Sequence, residues 1–416
     1  MQNNLNAFVK RWSNYTLATS RPAYLQKLLC KIMNRIISIL FILPMFYYSS
    51  AQMKPAVALQ WKIASELPAA NGQQQALGIA GPIAGINNNV LIVGGGSNFP
   101  DAAPWQGGKK QYYSALYVFK KEKDSLLNSG KVFHLPFPLA YAANCSTPKG
   151  IVCAGGENET GISKKVWLLQ WDEGAGNVIV NHLPDLPVAV TNASVACIGN
   201  KIYLAGGEMR DSVSAHFYYL NLNNTAMGWQ ALPPLPQSVS HAVMIAQNND
   251  KHAGLYVIGG RKKTTSGISE LYSSVYAFDC ITNQWSQKQS LPYALSAGTG
   301  IWWKNNILLF GGDKGETFHK TEQLIAAISN EKDSVKKEEL IQQKAALQST
   351  HPGFSNEVLE YNVAANKWTK RGAIPFTVPV TTTAILWGNE VLVPGGEIKA
   401  GVRTPQILLC HLSSKE

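Results

Sequence analysis

The sequence is poor in charge, in cysteine and in metal-binding patterns. Only 15% of its 416 residues are charged and 45% are hydrophobic, a balance that excludes a disordered chain. The six cysteines form no Cys-x-x-Cys pair, and the eight histidines show neither His-x-x-His nor His-Glu-x-x-His spacing. No metal site is therefore predicted, and no cofactor is expected. The length allows two or three ordinary domains or one large repeat fold.

Acidic residues are absent from positions 1–51, which carry six basic residues. An apolar run of 13 residues at positions 36–48 follows the last of these and ends at Ser49-Ser50-Ala51. Such a layout is typical of a cleaved secretory signal peptide and is too short for a comfortable membrane span. We therefore predict that 1–51 is removed and that the protein acts in the periplasm, the alternative being an uncleaved N-terminal anchor.

Removal of that segment changes what the net charge of +11 implies, because 11 − 6 leaves +5 on residues 52–416. No dense stripe of lysine and arginine with interleaved aromatics occurs outside 1–51. The sequence therefore predicts no nucleic-acid partner and no stable membrane insertion after cleavage. Five cysteines remain, an odd number that does not predict a disulfide framework; buried thiols are favoured, with one disulfide left open.

Pairs of glycines recur at the ends of short apolar runs. They begin at Gly94, Gly155, Gly206, Gly259, Gly311 and Gly395, so the steps between them are 61, 51, 53, 52 and 84 residues. A repeat of about 50 residues is typical of a kelch-type β-propeller. Each pair is expected to end a buried strand where the backbone needs positive φ or no side chain. The sequence therefore predicts an all-β, six-bladed propeller over residues 52–416.

A second repeated signal predicts how the ring closes. Each of the third, fourth and fifth units places an aromatic residue, a tryptophan and then Leu-Pro or Ile-Pro after its glycine pair. The sixth unit lacks this ending, whereas Trp61 and Leu67-Pro68 stand near the other end of the chain with no glycine pair before them. The strand near Trp61 is therefore expected to complete the last blade, so that no unpaired edge remains.

The long step of 84 residues contains positions 318–350, which are rich in strong helix formers and free of glycine and proline. We predict a helical insertion of about 30 residues in blade five, with a solvated irregular excursion as the alternative. An insertion on a rigid propeller could form a lid over the central mouth, because loops at that end border the site.

Charged residues that follow the glycine pairs are the first candidates for a site, since propellers bind ligands at the axial channel. Together they predict a polar funnel with both signs of charge, suited to a small, hydroxyl-rich, anionic ligand. They are Glu157, Glu208, Arg210, Arg261, Asp313, Glu397 and Arg403.

Two segments are more specific. The first, GGGSNFPDAAPWQGGKK from Gly94 to Lys110, exceeds any turn that a blade needs and adds Asn98, Lys109 and Lys110 as candidate substrate contacts. The second, PGGEIKAGVRT, places Glu397 and Arg403 six residues apart in a loop between two strands. A carboxylate can take a proton from a hydroxyl and return it, and a guanidinium can hold a carboxylate bidentately.

These motifs resemble those of the secreted kelch-type N-acetylneuraminate epimerases, or sialic acid mutarotases, particularly a cyclically permuted branch of that family. The resemblance covers about residues 55–416 and rests on the Gly94–Lys110 segment, the helical insertion and the Glu-x5-Arg spacing. It implies a periplasmic six-bladed propeller in which Glu397 and Arg403 are the catalytic pair. The blade order departs from the commoner arrangement, and permuted members could favour another acidic sugar.

The resemblance also implies a reaction, the interconversion of the α and β anomers of N-acetylneuraminate by ring opening. Glu397 would remove the proton of the anomeric hydroxyl, an unidentified acid or water would protonate the ring oxygen, and Arg403 would hold the C1 carboxylate. Glu157, Glu208, Arg210 and Arg261 are candidate substrate contacts because of their positions after the glycine pairs.

Other readings of the sequence remain open to different degrees. A non-catalytic kelch module that binds a glycan or protein is the main alternative. A sialidase would carry Ser-x-Asp-x-Gly-x-x-Trp turns, and these are absent from the sequence. A copper oxidase related to galactose oxidase would need a crosslinked tyrosine and cysteine with paired histidine ligands, for which the sequence has no pattern.

Overall fold

The computed structural model describes residues 57–69, 74–123, 125–249 and 252–414. Its main sheets are six four-stranded antiparallel blades arranged as a propeller. The predicted signal peptide, 1–51, lies outside the described residues. Among the described residues, no helix has the length and apolarity to cross a membrane.

The strands of each blade run from the axial channel outward. Blade 1 contains Ala80–Asn87, Val90–Asn98, Ala115–Glu122 and Ser125–His134. Blade 2 contains Ala143–Thr147, Gly150–Ala154, Val166–Asp172 and Asn177–Leu183. Blade 3 contains Ser194–Ile198, Lys201–Ala205, Phe217–Asn221 and Gln230–Ala231.

The second half of the ring repeats this pattern. Blade 4 contains Val243–Asn249, His252–Ile258, Val275–Asp279 and Gln284–Gln287. Blade 5 contains Thr299–Trp303, Asn306–Phe310, Glu357–Asn362 and Lys367–Ala373. Blade 6 contains Ile385–Trp387, Glu390–Pro394, Gln406–Ser414 and, as its outermost strand, Val57–Glu66.

Blade 6 confirms the predicted ring closure. The first described strand pairs antiparallel with the last one, with Trp61 opposite Cys410. The edge of the final blade is thus covered by the other end of the same described chain, which leaves no exposed ladder at the joint.

Short strands that extend from the blades form hairpins near the mouth. Gln111–Tyr112 pairs with the end of the second strand of blade 1. Three two-stranded hairpins follow the glycine pairs of other blades: Glu157–Asn158 with Gly161–Ile162, Arg261–Lys262 with Glu270–Leu271, and Glu397–Lys399 with Val402–Arg403.

Six hydrophobic clusters of described residues fill the interfaces between neighbouring blades. The second strand of blade 5 shows why its sequence is a continuous apolar run. Ile307 and Leu309 pack toward blade 4, whereas Leu308 and Phe310 pack toward blade 6. Since side chains alternate between the two faces of a strand, a strand that is covered on both faces needs apolar residues at every position.

The glycine pairs end these strands as predicted, with φ between 58° and 107° at both positions. In blade 1 the run is Gly94-Gly95-Gly96, and the pair with positive φ is Gly95-Gly96, one residue later than the sequence pattern suggested. At Gly396 an added Cβ would lie 2.6 Å from the Cβ of Pro379, so close packing excludes a side chain there as well.

The insertion in blade 5 is helical, as predicted, and consists of two helices, α1 (Glu316–Asn330) and α2 (Ser334–Ser349). The single predicted segment, 318–350, did not show the break between them. Asp333 caps α2, because its side chain accepts hydrogen bonds from the backbone N–H groups of Val335 and Lys336. Glu322 of α1 accepts hydrogen bonds from the backbone and hydroxyl of Ser269, which fastens the insertion to blade 4.

Glu357 ties the insertion to blades 4 and 5. Its carboxylate accepts hydrogen bonds from Lys370 at 2.6 Å, from the hydroxyl of Tyr293, and from Lys314 at 3.0 Å. These donors, Lys370 first, lower the pKa of Glu357 from 4.5 to about 2.

We expect this network to make stability pH-dependent. Because the folded pKa lies below the unfolded one, its contribution is complete above pH 4.5 and is lost as the pH falls toward 2. Replacement Glu357→Gln should cost about 1–2 kcal/mol at pH 7, after allowance for solvent screening. Thermal unfolding of both proteins between pH 7 and pH 3 measures the effect. A wild-type advantage that does not shrink on acidification would contradict the assignment.

Candidate functional site

A closed ring of backbone hydrogen bonds surrounds the axis at the mouth of the propeller. One residue in each blade, at the start of its first strand or up to four residues before it, donates its N–H to the carbonyl of the equivalent residue in the preceding blade, at 2.8 to 3.2 Å. All six have left-handed backbones, with φ between 53° and 62°. We call this ring the collar; its members are Gly81, Tyr141, Asn192, His241, Ala297 and Thr381.

Five collar residues are not glycine; for Tyr141, His241, Ala297 and Thr381 this conformation has a steric cost of roughly 1–2 kcal/mol each, whereas asparagine, at position 192, tolerates it better. The cost persists because the surrounding structure fixes the backbone. Sequence reasoning missed the collar. A constant spacing could have revealed it, because Tyr141, Asn192 and Thr381 each stand 16 residues before a charged residue that follows a glycine pair.

The residues that follow the glycine pairs are placed by the collar. In each of blades 2 to 6, such a residue forms two backbone hydrogen bonds with the residue just before the collar position. In blade 1, Ser97 stands opposite Ala80 in the equivalent way. Five of the charged residues proposed from the sequence thus occupy equivalent positions beside the collar: Glu157, Glu208, Arg261, Asp313 and Glu397.

A cavity of about 400 Å³ lies at this mouth and is lined by all five of these residues. Five of the six collar residues form part of its lining, namely Tyr141, Asn192, His241, Ala297 and Thr381. On the other side of the collar, the first strands of the blades enclose an axial channel of about 440 Å³.

The insertion forms one wall of the cavity. Helix α1 contributes Thr317, Phe318 and Thr321, and the end of α2 with the following segment contributes Gln348, His351 and Phe354. The sequence suggested a lid at this place but did not identify these residues.

Glu397 and Arg403 stand directly opposite each other in the hairpin that follows the last glycine pair. The carboxylate Oε1 of Glu397 accepts a hydrogen bond from the N–H of Gly401 at 2.7 Å, and Oε2 lies 3.8 Å from Nη2 of Arg403. The turn and the second strand of the same hairpin thus hold the carboxylate in one orientation at the cavity wall.

Arg403 departs from the sequence expectation, because it does not line the cavity. Only 4% of its side chain is exposed, and its guanidinium lies 4.7 Å from the ring centre of Phe99. Its Nε and Nη1 atoms have no hydrogen-bond partner among the described residues. The guanidinium is therefore covered by the loop that starts at Phe99 and contacts the cavity through Glu397.

Glu208 and Arg261 form a second carboxylate–guanidinium pair, with 3.6 Å between Oε1 and Nη2. Ser240 donates a hydrogen bond to Glu208 at 3.1 Å, and Nη2 of Arg261 lies 3.2 Å from Nε2 of His241. Burial, followed by the charge of Arg261, holds the pKa of His241 well below its usual value. Phe318 of α1 covers the guanidinium at 4.4 Å, so the insertion packs directly on a charged cavity residue.

Lys110 and Glu157 form the third charged group of the cavity. Lys110 Nζ lies 3.4 Å from Glu157 and 5.2 Å from the ring centre of Tyr141. The Tyr112 hydroxyl donates to Glu157 at 2.8 Å; burial, then this hydrogen bond, raise the pKa of Tyr112.

Three predicted substrate contacts do not reach the cavity. The amide of Asn98 is buried and occupied, since it donates to the carbonyl of Gly78 and accepts from the Tyr113 hydroxyl. Lys109 and Arg210 are exposed and are not part of the cavity lining. Asn98 therefore supports the loop between blades, and the long Gly94–Lys110 segment contributes Lys110 to the lining.

The described residues contain no group of three or more histidine, cysteine or acidic side chains arranged to hold a metal ion. The five cysteines in the described part of the chain are free thiols, with Cys153 and Cys410 buried and Cys145, Cys197 and Cys280 partly buried. Cys197 lies in the apolar run at positions 195–198, where the sequence favoured a buried thiol, but it is only partly buried.

Fold and site together define a six-bladed propeller with a small, polar, charged cavity at its mouth. A family model described as N-acetylneuraminate epimerase matches residues 48–178 and 183–416. The chain belongs to the N-acetylneuraminate epimerase family.

Individual relatives agree with this assignment. A protein named N-acetylneuraminate epimerase from Brucella melitensis is 29% identical over 249 residues, 59% of this chain. A protein of the same name from Haemophilus influenzae is 29% identical over 227 residues, 54% of this chain. A protein of the same name from Vibrio vulnificus is 26% identical over 234 residues, 55% of this chain. The matches span 62%, 57% and 58% of those relatives, so the chain covers about three fifths of their length.

The solved structure of YjhT has the same fold. It aligns with a TM-score of 0.58 at 13% sequence identity, covering 85% of this chain and 100% of that one. The permuted blade order inferred from the sequence stays a prediction.

The collar predicts a reciprocal pair of stability effects. Thr381 is β-branched, for which φ of 53° is strained, whereas Asn192 occupies the same place in blade 3 with a residue that tolerates it. We expect Thr381→Asn to stabilise the fold by about 0.5–1 kcal/mol and Asn192→Thr to destabilise it by at least as much. Urea unfolding of the two variants measures both changes, and equal signs would contradict the strain argument.

Proposed function

We propose that the protein is a sugar mutarotase that interconverts the α and β anomers of N-acetylneuraminate. Membership of the epimerase family supports the reaction class. The observation that carries the proposal is a fixed carboxylate, Glu397, in the wall of a cavity of about 400 Å³. The two cationic groups in that lining, Lys110 and Arg261, suit a ligand with a carboxylate.

The proposed reaction needs one proton acceptor near the anomeric centre. Glu397 takes the proton of the C2 hydroxyl while the bond between C2 and the ring oxygen breaks, and the ring oxygen gains a proton. The open 2-keto form rotates about its C2–C3 bond and closes on the other face, with the proton returned. Only the bond between C2 and the ring oxygen breaks and re-forms, while the C2 hydroxyl becomes the keto oxygen and then a hydroxyl again. General acid–base catalysis suffices for this, at about 10²–10⁴ in rate.

Arg403 has a positioning role in this proposal. Its guanidinium is buried and lies beside Oε2 of Glu397 at 3.8 Å. The Gly401 N–H holds Oε1 at the same time. These two contacts fix the plane of the carboxylate and leave its remaining lone pairs for the substrate hydroxyl. The family resemblance implied that Arg403 holds the C1 carboxylate of the substrate. In this proposal the cationic lining residues, Lys110 and Arg261, bind that carboxylate instead.

We also propose that the protein works in the periplasm. The support is the basic, acid-free segment at positions 1–35 followed by the 13-residue apolar run, a pattern of export signals.

We expect Glu397→Gln to slow mutarotation by about 10²–10⁴-fold, because the amide keeps the shape of the side chain but cannot accept the proton. The measurement is proton NMR of α-N-acetylneuraminate freshly released by a sialidase, corrected for the spontaneous rate. Glu339→Gln, on the exposed surface of α2, serves as the matched control and should match wild type.

Two results would overturn the proposal. A wild-type protein that binds N-acetylneuraminate in calorimetry without accelerating its mutarotation would instead be a binding module. A Glu397→Gln variant that is folded and as fast as wild type would remove Glu397 from the mechanism.

A further inference from the structure

His351 is a cavity residue for which the mechanism above has no use. It follows α2 on the segment that returns the chain to blade 5, and it lines the mouth cavity while being only 5% exposed. Its ring packs against Phe354, with 4.9 Å between the ring centres. The ring therefore has a fixed position opposite the collar.

The backbone determines which ring nitrogen of His351 carries a proton. The N–H of Gly353 donates a hydrogen bond to Nδ1 at 3.0 Å. Since a backbone N–H can only donate, Nδ1 must be unprotonated, and the neutral ring then carries its proton on Nε2. Among the described residues none accepts a hydrogen bond from Nε2, so this donor is available to a ligand in the cavity.

The surroundings of His351 favour the neutral ring. Burial is the largest effect and lowers its pKa, and Lys399 lowers it further. Asp313 of blade 5 and Glu397 of blade 6 act in the opposite direction without reversing the shift. His351 is thus a neutral hydrogen-bond donor within the electrostatic reach of the proposed proton acceptor.

The other histidine in the cavity lining provides an internal contrast. His241 has Nδ1 3.1 Å from the hydroxyl of Ser240 and Nε2 3.2 Å from Arg261, so both of its nitrogens are occupied. Of the two imidazoles that line the cavity, only that of His351 has a nitrogen free for a ligand.

We propose that His351 contacts the substrate and donates a hydrogen bond from Nε2 to the ring oxygen as the ring opens. This inference rests on the proposed function. When the bond from C2 breaks, its electron pair goes to the ring oxygen, which takes a proton from cavity water. Glu397 returns its proton to the resulting hydroxide, so protons balance and His351 stays neutral throughout. A neutral imidazole donor can stabilise developing negative charge in this way.

The proposal gives the insertion a catalytic purpose. A blade with an ordinary short connection after its glycine pair would have no residue at this place. Helices α1 and α2 lead the chain out and back, so that His351 re-enters at the cavity wall directly after the last turn of α2.

Two substitutions of His351 test the role with a matched control. His351→Phe keeps a ring against Phe354 but removes the donor, and we expect kcat to fall by about 10²-fold with little change in KM. His351→Gln restores an N–H donor and should recover part of the rate. His182→Gln, on the outer strand of blade 2, should match wild type.

The pH profile separates a neutral donor from a protonated acid. A neutral donor predicts that the wild-type rate above the spontaneous one is level from pH 6.5 to 8. A rate that falls across that range in wild type but not in His351→Gln would show an imidazolium acid and overturn the proposal. A folded His351→Phe variant as fast as an active wild type would do the same.

Nitrogen NMR of histidine-labelled protein keeps the inference separate from the proposed function. At pH 7 the His351 signals, assigned by their loss in His351→Phe, should report a neutral ring protonated at Nε2 and should shift when N-acetylneuraminate is added. If wild type fails to accelerate mutarotation, the proposed function fails, and these signals alone decide whether His351 contacts the sugar. Signals that do not respond to saturating sugar would refute the contact.

Discussion

The collar is the constraint on which the rest of the molecule depends. Six N–H groups donate to six carbonyls around one axis, and each bond joins two successive blades. The ring closes because every blade presents a residue with a left-handed backbone at the equivalent position. In blades 2 to 6 the residues after the glycine pairs are hydrogen-bonded to the residues that directly precede the collar positions, and they therefore converge on one cavity. A backbone pattern that holds the blades together thus also assembles the site.

Because the backbone alone builds the collar, the side chains at the mouth can differ from blade to blade. The six positions after the glycine pairs share one backbone arrangement but hold serine, arginine and four acidic residues. Two segments that exceed the needs of a blade then add specificity. Phe99 from the blade 1 loop covers Arg403, and Phe318 from α1 covers Arg261. An aromatic face over a guanidinium limits its motion without neutralising it, which suits groups that orient an anion or a carboxylate.

The sequence predicted what local patterns encode. Continuous apolar runs marked strands covered on both faces, the glycine pairs marked their ends, and the content of positions 318–350 marked a helical insertion. It could not predict contacts made by long-range packing. Arg403 is buried under Phe99, which belongs to a loop from another blade. The amide of Asn98 is already hydrogen-bonded to Gly78 and Tyr113. The free nitrogen of His351 follows from a turn at Gly353, whose φ is 97°.

Ring closure and the site meet in blade 6. The hairpin with Glu397 and Arg403 connects the second and third strands of this blade, and the third strand pairs with Val57–Glu66. Blade 6 is the one blade of the described propeller whose outer strand comes from the distant end of the sequence. Loss of that pairing would expose one face of the cluster that contains Ala64 and Leu67 and would loosen the third strand directly after Arg403. The position of the proposed catalytic carboxylate therefore depends on the non-local contact that closes the fold. The hairpin holds Glu397 in place, and the strands of blade 6 in turn hold the hairpin.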